Sequence, residues 1–249
     1  MEQLLKNKNA IITGANKGIG HAIVEKMASE GANIWACTRT VNDAFLSDMS
    51  DIASKYNVTI KPICMKLDSE KDIQDGVRQI CNSKCSIDIL INNAGVGHAG
   101  GFGMTREQDL YNVFSINTFA PMILSKLVSR KMMRQHEGVI VNVASIAGID
   151  ASAGNCIYGP SKAALISFTR CFSSEMAEYG IRVNAVAPGP VDTDMVEIFA
   201  DVAKEHLFHR TPVERLAQPE EIADVITFLA SSQARFVNGQ VIRVDGGER

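Results

Sequence analysis

The sequence contains no apolar run approaching the roughly 20 residues needed to cross a bilayer. Its first residues, MEQLLKNKNAIITG, run into a strand pattern without the apolar core and small-residue cleavage site of a secretory leader. A cytoplasmic protein is the expectation. Charge of one sign is lacking too. Lys and Arg number 25 against 28 Asp and Glu, a net charge of −3, so no overall field favours nucleic acid or an anionic membrane. The six cysteines (Cys37, Cys64, Cys81, Cys85, Cys156 and Cys171) show no disulfide-scaffold spacing, which predicts reduced thiols. CNSKC at 81–85 and HLFH at 206–209 each lack a second ligand pair, so no metal site is expected. Nor does any repeat, low-complexity tract or Pro/Gly-rich linker divide the chain, which predicts one domain over residues 1–249.

What is present is alternation. Short apolar runs at 9–13, 33–37, 59–65, 88–92, 138–144, 181–187 and 240–244 read as strands. Several are nearly continuous in Val, Ile or Leu, as when helices cover both faces of a parallel sheet. Between them lie helical stretches such as GHAIVEKMASEG, with Ile23, Val24, Met27 and Ala28 at helical spacing. The pattern predicts an α/β, Rossmann-like doubly wound fold with a mainly parallel seven-stranded sheet. Ligands of such folds bind beyond the carboxyl ends of the strands.

The first strand runs into TGANKGIG (13–20) and then an amphipathic helix. Gly14, Gly18 and Gly20 allow a tight turn against a pyrophosphate at a helix N-terminus. The spacing is not G-x-G-x-x-G. That pattern occurs in GVGHAG (95–100), which lacks an immediate helix and is read as a chance match. The second strand ends Cys37-Thr38-Arg39, without the acid that often holds a ribose 2′-hydroxyl. Arg39 has the donors to grip a 2′-phosphate, and Lys17 in the glycine turn is a second cation. Together they predict NADP(H) as cofactor.

NCIYGPSKAALISF (155–168) spaces Tyr158 and Lys162 to share a helix face, with Pro160 between them. The spacing predicts a helix starting near residue 154, distorted at 156–160 where the proline lacks its donor. A nearby ammonium is expected to lower the tyrosine pKa, normally about 10, towards acid/base chemistry.

On these residues the chain resembles the short-chain dehydrogenase/reductase family, in its compact, classical branch. The resemblance rests on Thr13-Gly14-x-x-x-Gly18-x-Gly20, Asn92-Asn93-Ala94-Gly95, Asn117 in FSINTFAP, Ser145, Tyr158 and Lys162, and Pro188-Gly189-x-x-x-Thr193. It spans almost the whole chain. It implies Asn117, Ser145, Tyr158 and Lys162 as catalytic residues. Tyr158 would protonate a carbonyl oxygen during hydride transfer, Ser145 would hold that oxygen, and Lys162 would tune Tyr158 and bond the nicotinamide ribose. Asn117 would position a water beside Lys162. The implied cofactor site comprises Gly14, Asn16, Lys17, Gly18, Ile19, Gly20, Arg39, Asp68, Asn92, Ala94, Gly95, Tyr158, Lys162, Pro188, Gly189, Val191 and Thr193. Asp68 is placed at the adenine, Asn92 along the adenosine side and Thr193 at the carboxamide. A substrate lid is implied at 189–213, where Val196, Phe199, Ala200, Ala203 and Leu207 have helical spacing.

Within the family the chain is most similar to bacterial 3-oxoacyl-acyl-carrier-protein reductases, by length, by its basic cofactor residues and by the ending VNGQVIRVDGG. Arg130, Lys131 and Arg134 resemble the basic patch that meets the acidic carrier protein. Ser174 stands where a second arginine is expected, and GHAGGFGMTREQ departs from the usual reductase sequence. Reduction of a small ketone, sugar or polyol is the alternative, and a non-catalytic dinucleotide-responsive protein a further one. The resemblance also implies a homotetramer.

Overall fold

Seven apolar runs become the strands of one sheet: β1 (Asn9–Thr13), β2 (Asn33–Thr38), β3 (Ile60–Cys64), β4 (Ile89–Asn92), β5 (Gly138–Val143), β6 (Ile181–Pro188) and β7 (Val241–Val244). The structure, a computed structural model, describes residues 3–98, 100–194 and 211–248. The strand order is β3-β2-β1-β4-β5-β6-β7, and every pairing is parallel. The chain starts at the centre, winds outward to β3, then returns to lay β4 on the other side of β1. The carboxyl ends of β1 and β4 therefore diverge into a crevice.

Neighbouring residues on each central strand serve opposite faces, as the pleat requires. Ile12, Ile91 and Val141 pack with Ile23, Met27, Ile222 and Ile226 on one side. Ile11, Leu90 and Ile140 pack with Leu124, Val128 and Ile80 on the other. The first side is covered by α1 (Gly18–Ser29), α2 (Asp43–Tyr56) and α7 (Pro219–Ala230). The second is covered by α3 (Glu70–Cys81), α5 (Ala120–Gln135) and α6 (Tyr158–Met176). Local signals set helix ends: Asn42 accepts from the Phe45 N–H at 3.0 Å, and Asn57 closes α2 at φ 54°.

Two helical details turn on a proline. The long helix around 105–134 is α4 (Glu107–Phe114) and α5 joined by a π-helical turn, Ser115–Phe119. Pro121 has no N–H to give the Asn117 carbonyl four residues earlier, so the α-helical pattern cannot close there. The tyrosine helix begins at Tyr158, not near 154. Pro160 thereby falls in the first turn, where an N–H needs no intrahelical partner, and the proline is no obstacle.

Candidate active site

The crevice is built first from glycines. Gly14 takes φ 68°, a left-handed conformation that a side chain strains. A Cβ on Gly20 would overlap the Gly14 carbonyl oxygen, so the turn closes only with glycine there. α1 then starts with no side-chain cap, leaving its first N–H groups facing the crevice mouth. Ile19 packs back onto the core and seats the helix.

The β4 loop is tied to this turn. Thr13 Oγ1 accepts from the N–H groups of Asn93 (3.0 Å) and Ala94 (3.1 Å), and Asn93 Nδ2 donates to the Thr13 carbonyl at 2.9 Å. These ties are invisible locally because the residues lie some eighty positions apart. The resulting cleft is lined by Thr13, Gly14, Asn16, Thr38, Arg39, Leu67, Asp68, Ala94, Gly95 and Val96. A dinucleotide fits it: glycines where a phosphate must approach, an open helix end, and a cation at the β2 side.

The two predicted cations part company. Arg39 lines the cleft and donates to Asp68 at 2.9 Å. Lys17 turns away to Asp194, Nζ to Oδ2 2.7 Å, and holds that carboxyl below its ordinary range. The expected joint grip by Arg39 and Lys17 is therefore corrected to Arg39, because the aspartate after β6 takes the lysine's charge. Asn92 is a second correction. Its side chain is buried inside the helix–sheet layer, donating to Asn142 Oδ1 (2.8 Å) and Ser125 Oγ (3.1 Å). It braces the core rather than facing the adenosine.

At the other end, β5 runs into Ser145, which opens a 3₁₀ turn, Ile146–Gly148, and accepts from the Ala147 N–H at 3.2 Å. The turn is clamped on α6: a Cβ on Gly148 would meet the Ala163 nitrogen at 2.7 Å, and one on Gly159 the Ala147 carbonyl oxygen at 2.7 Å. The clamp sets the Ser145 hydroxyl beside that of Tyr158. Burial pushes the Tyr158 phenol up, opposed by the serine hydroxyl. Lys162 is 3% exposed, donates from Nζ to the Val143 carbonyl at 2.8 Å and lies 5.8 Å from the Tyr158 ring centre. Burial lowers its pKa to about 8. The expected lowering of Tyr158 is thus reversed, because dehydration of the phenol outweighs the serine's opposing effect.

Asn117 is fully buried. Its Oδ1 accepts from the Val96 N–H (2.8 Å), and its Nδ2 donates to the Val96 carbonyl (2.9 Å) and to Ser161 Oγ (3.1 Å). The side chain is a strut between the β4 loop and α6. A Cβ on Gly95 would lie 3.2 Å from Lys162 Nζ and 3.3 Å from Asn117 Oδ1, which places the two residues on either side of one point. Ser161, hydrogen-bonded to both Asn117 and the Tyr158 carbonyl, is a supporting residue the sequence did not reveal.

Across the crevice Pro188 ends β6, and the Gly189 N–H donates to the Val244 carbonyl at 3.0 Å. Val191 is buried, and Thr193 covers Gly18, whose Cβ would touch its Cγ2 at 3.1 Å. Most of the expected lid, residues 195–210, lies outside the described residues, with His206 and His209. All six cysteines are free thiols, and among the described residues no three His, Cys, Asp or Glu gather as metal ligands.

Residues 14–248 match a family model described as enoyl-(acyl carrier protein) reductase. The 3-oxoacyl-[acyl-carrier-protein] reductase of Aquifex aeolicus is 36% identical over 247 residues, covering 99% of each chain. A Beutenbergia cavernae protein provisionally assigned as an NAD(P)-dependent gluconate 5-dehydrogenase, solved with NADP at low occupancy, superposes with a TM-score of 0.93. It is 30% identical and covers 99% of this chain and 98% of its own. A 7α-hydroxysteroid dehydrogenase complexed with NADH and a 7-oxo bile acid superposes at 0.91, with 29% identity and coverage of 99% and 96%.

Proposed function

We propose that this chain, which belongs to the short-chain dehydrogenase/reductase family, is an NADPH-dependent reductase of 3-oxoacyl groups carried on acyl carrier protein. The observation that carries the reading is the adjacency of Ser145, Tyr158 and buried Lys162, its Nζ 5.8 Å from the tyrosine ring centre, at the end of a glycine-built dinucleotide cleft. Gly14, Gly18 and Gly20 would hold the pyrophosphate and Arg39 the 2′-phosphate. Bound there, the nicotinamide supplies hydride to the carbonyl carbon.

Tyr158 suits the acid in this direction. Burial keeps its phenol protonated at neutral pH, ready to pass that proton to the carbonyl oxygen. Ser145 donates to the same oxygen as its charge develops. Lys162, anchored on Val143, and Asn117, on the same side of Gly95, would return a proton to the phenolate. Exposed Phe102, Met104 and Ile149 rim the substrate side, where the Gly100 N–H meets the Gly154 carbonyl at 3.3 Å, and favour an acyl chain.

Arg130 and Arg134 on α5 are exposed, as an acidic carrier protein requires. Ser174 only returns a hydrogen bond to the Arg170 carbonyl, but Arg170, one turn earlier, is exposed on the same helix. The departing segment GHAGGFGMTREQ favours the second reading, a small ketone, sugar or polyol. A cytoplasmic homotetramer, with a lid over 189–213, completes the proposal. No described helix is long and apolar enough to cross a membrane. The test is turnover of acetoacetyl-acyl carrier protein, a free β-ketoester and a panel of small ketones and polyols, each with NADPH and NADH. Preference for the carrier-bound substrate with NADPH supports the reading, and turnover of polyols alone overturns it. Sedimentation at assay concentration tests the tetramer.

A further inference from the structure

Ser145 is held from two sides. Towards α6 the glycines at 148 and 159 press its turn against the tyrosine helix. The opposite end of the turn closes on itself, with the Ile149 and Asp150 N–H groups both donating to the Ile146 carbonyl at 2.8 Å. From this outer end the Asp150 carboxylate reaches Arg243 of β7, Oδ2 to Nη1 2.8 Å.

Arg243 is itself fixed. Its Nε donates to Asp245 Oδ2 at 2.6 Å and its Nη2 to the Glu248 carbonyl at 3.0 Å. Asp245 is in turn immobilised: its other oxygen accepts from the Gly247 N–H at 3.1 Å, and its backbone packs so closely on Gly189 that a Cβ there would meet Asp245 Cα at 2.9 Å. The guanidinium thus uses three directed donors on three separate anchors. A planar fork can do this where a single ammonium cannot. Asp245 is nearly buried, while Arg243 is an exposed residue of β7, so the arginine is held by the geometry of its three bonds rather than by burial.

We propose that Arg243 is a positioning residue for the reaction, holding Asp150 and through it the turn that presents Ser145 to Tyr158 and the substrate oxygen. The inference rests on the carbonyl-reductase reading for its consequence in turnover, but not for its structural content. Ser145 acts on the Tyr158 hydroxyl, and Lys162 Nζ lies 5.8 Å from the ring centre. When Arg243 is lost, Ser145 drifts from its bond and the tyrosine loses the interaction that favours its ionised form.

The experiment uses full-length Arg243→Met, Arg243→Lys, Asp150→Asn and the Met/Asn double variant. The expected result is a fall in kcat of about tenfold to a hundredfold for Arg243→Met and Asp150→Asn, with NADPH binding unchanged and the double variant no worse than either single. Arg243→Lys recovers part of the loss. Tyr158 ionisation, read as tyrosinate absorbance of each variant minus its Tyr158→Phe counterpart, moves to higher pH. An unchanged kcat and an unchanged Tyr158 titration in Asp150→Asn overturn the proposal, even if Arg243→Met fails to fold. Should the wild-type protein reduce no carbonyl in the panel, the functional reading falls, while the tyrosinate titration still decides the role of Arg243.

Discussion

Lys162 donates to the carbonyl of Val143 at 2.8 Å, tying helix α6 to strand β5 two residues before Ser145. Among the described residues no carboxylate pairs with the lysine, so its charge is opposed by dehydration. Its position beside the tyrosine is fixed by the strand. Its protonation is set by the interior.

The first prediction concerns pH and Lys162. Its pKa is about 8 in the folded chain against an ordinary 10.5. Between those values the unfolded chain binds the extra proton, so this residue's contribution to stability rises with pH, by ~1.4 kcal/mol per unit at most. Below about pH 8 both states are charged and the burial cost is constant. Denaturant unfolding of wild type and Lys162→Met across about pH 7 to 10.5 should show the difference moving in favour of wild type as pH rises. A flat difference contradicts a buried lysine of lowered pKa.

The second concerns the hydroxyl pair. Tyr158→Phe removes the proton donor and should nearly abolish turnover while leaving NADPH binding largely intact. Ser145→Ala should lower kcat by about 10²–10³, as for loss of one donor to a developing oxyanion. It should also raise the Tyr158 pKa, because the serine's bond is what opposes burial there. Steady-state kinetics and fluorescence titration with NADPH check both.

Arg39 and Lys17 offer a third, separable prediction. Arg39 lines the cleft while Lys17 is paired with Asp194. Arg39→Ala should raise the KM for NADPH about tenfold or more, on the scale of a lost charge-assisted bond, and leave the KM for NADH near wild type. Lys17→Ala should do much less. Equal effects of the two substitutions would restore the joint grip.

Gly95 supplies the fourth. A methyl group there would press on Lys162 Nζ at 3.2 Å and Asn117 Oδ1 at 3.3 Å. Gly95→Ala should therefore cost turnover with little change in thermal stability, since both neighbours can shift by a few tenths of an ångström. Gly20→Ala, whose methyl group would overlap the Gly14 carbonyl oxygen, should instead abolish NADPH binding. Thermal melts and cofactor titration separate the two outcomes.

The strands were legible to within one or two residues, because a strand buried on both faces must be apolar throughout. The placement of Tyr158 and Lys162 on one helix was legible because a four-residue spacing is local. The tie from Thr13 to Asn93 and Ala94, the strut from Asn117 to Val96 and the anchor from Arg243 to Asp150 were not. Each joins segments that meet only when strands far apart in sequence lie side by side. The proline in YGPSK was misread for a local reason: two or three residues of difference in where the helix begins decide whether a missing N–H matters.

By itself the sequence determined the alternation of strands and helices and the glycine turn at the switch point, since apolar periodicity and backbone freedom are properties of short stretches. Only the tertiary structure decided which cation faces the cleft, that Asn92 braces the core, and which way the Tyr158 and Lys162 pKa values move. Those depend on which groups exclude water from one another, and solvent exclusion is a property of the packed molecule rather than of spacing along the chain.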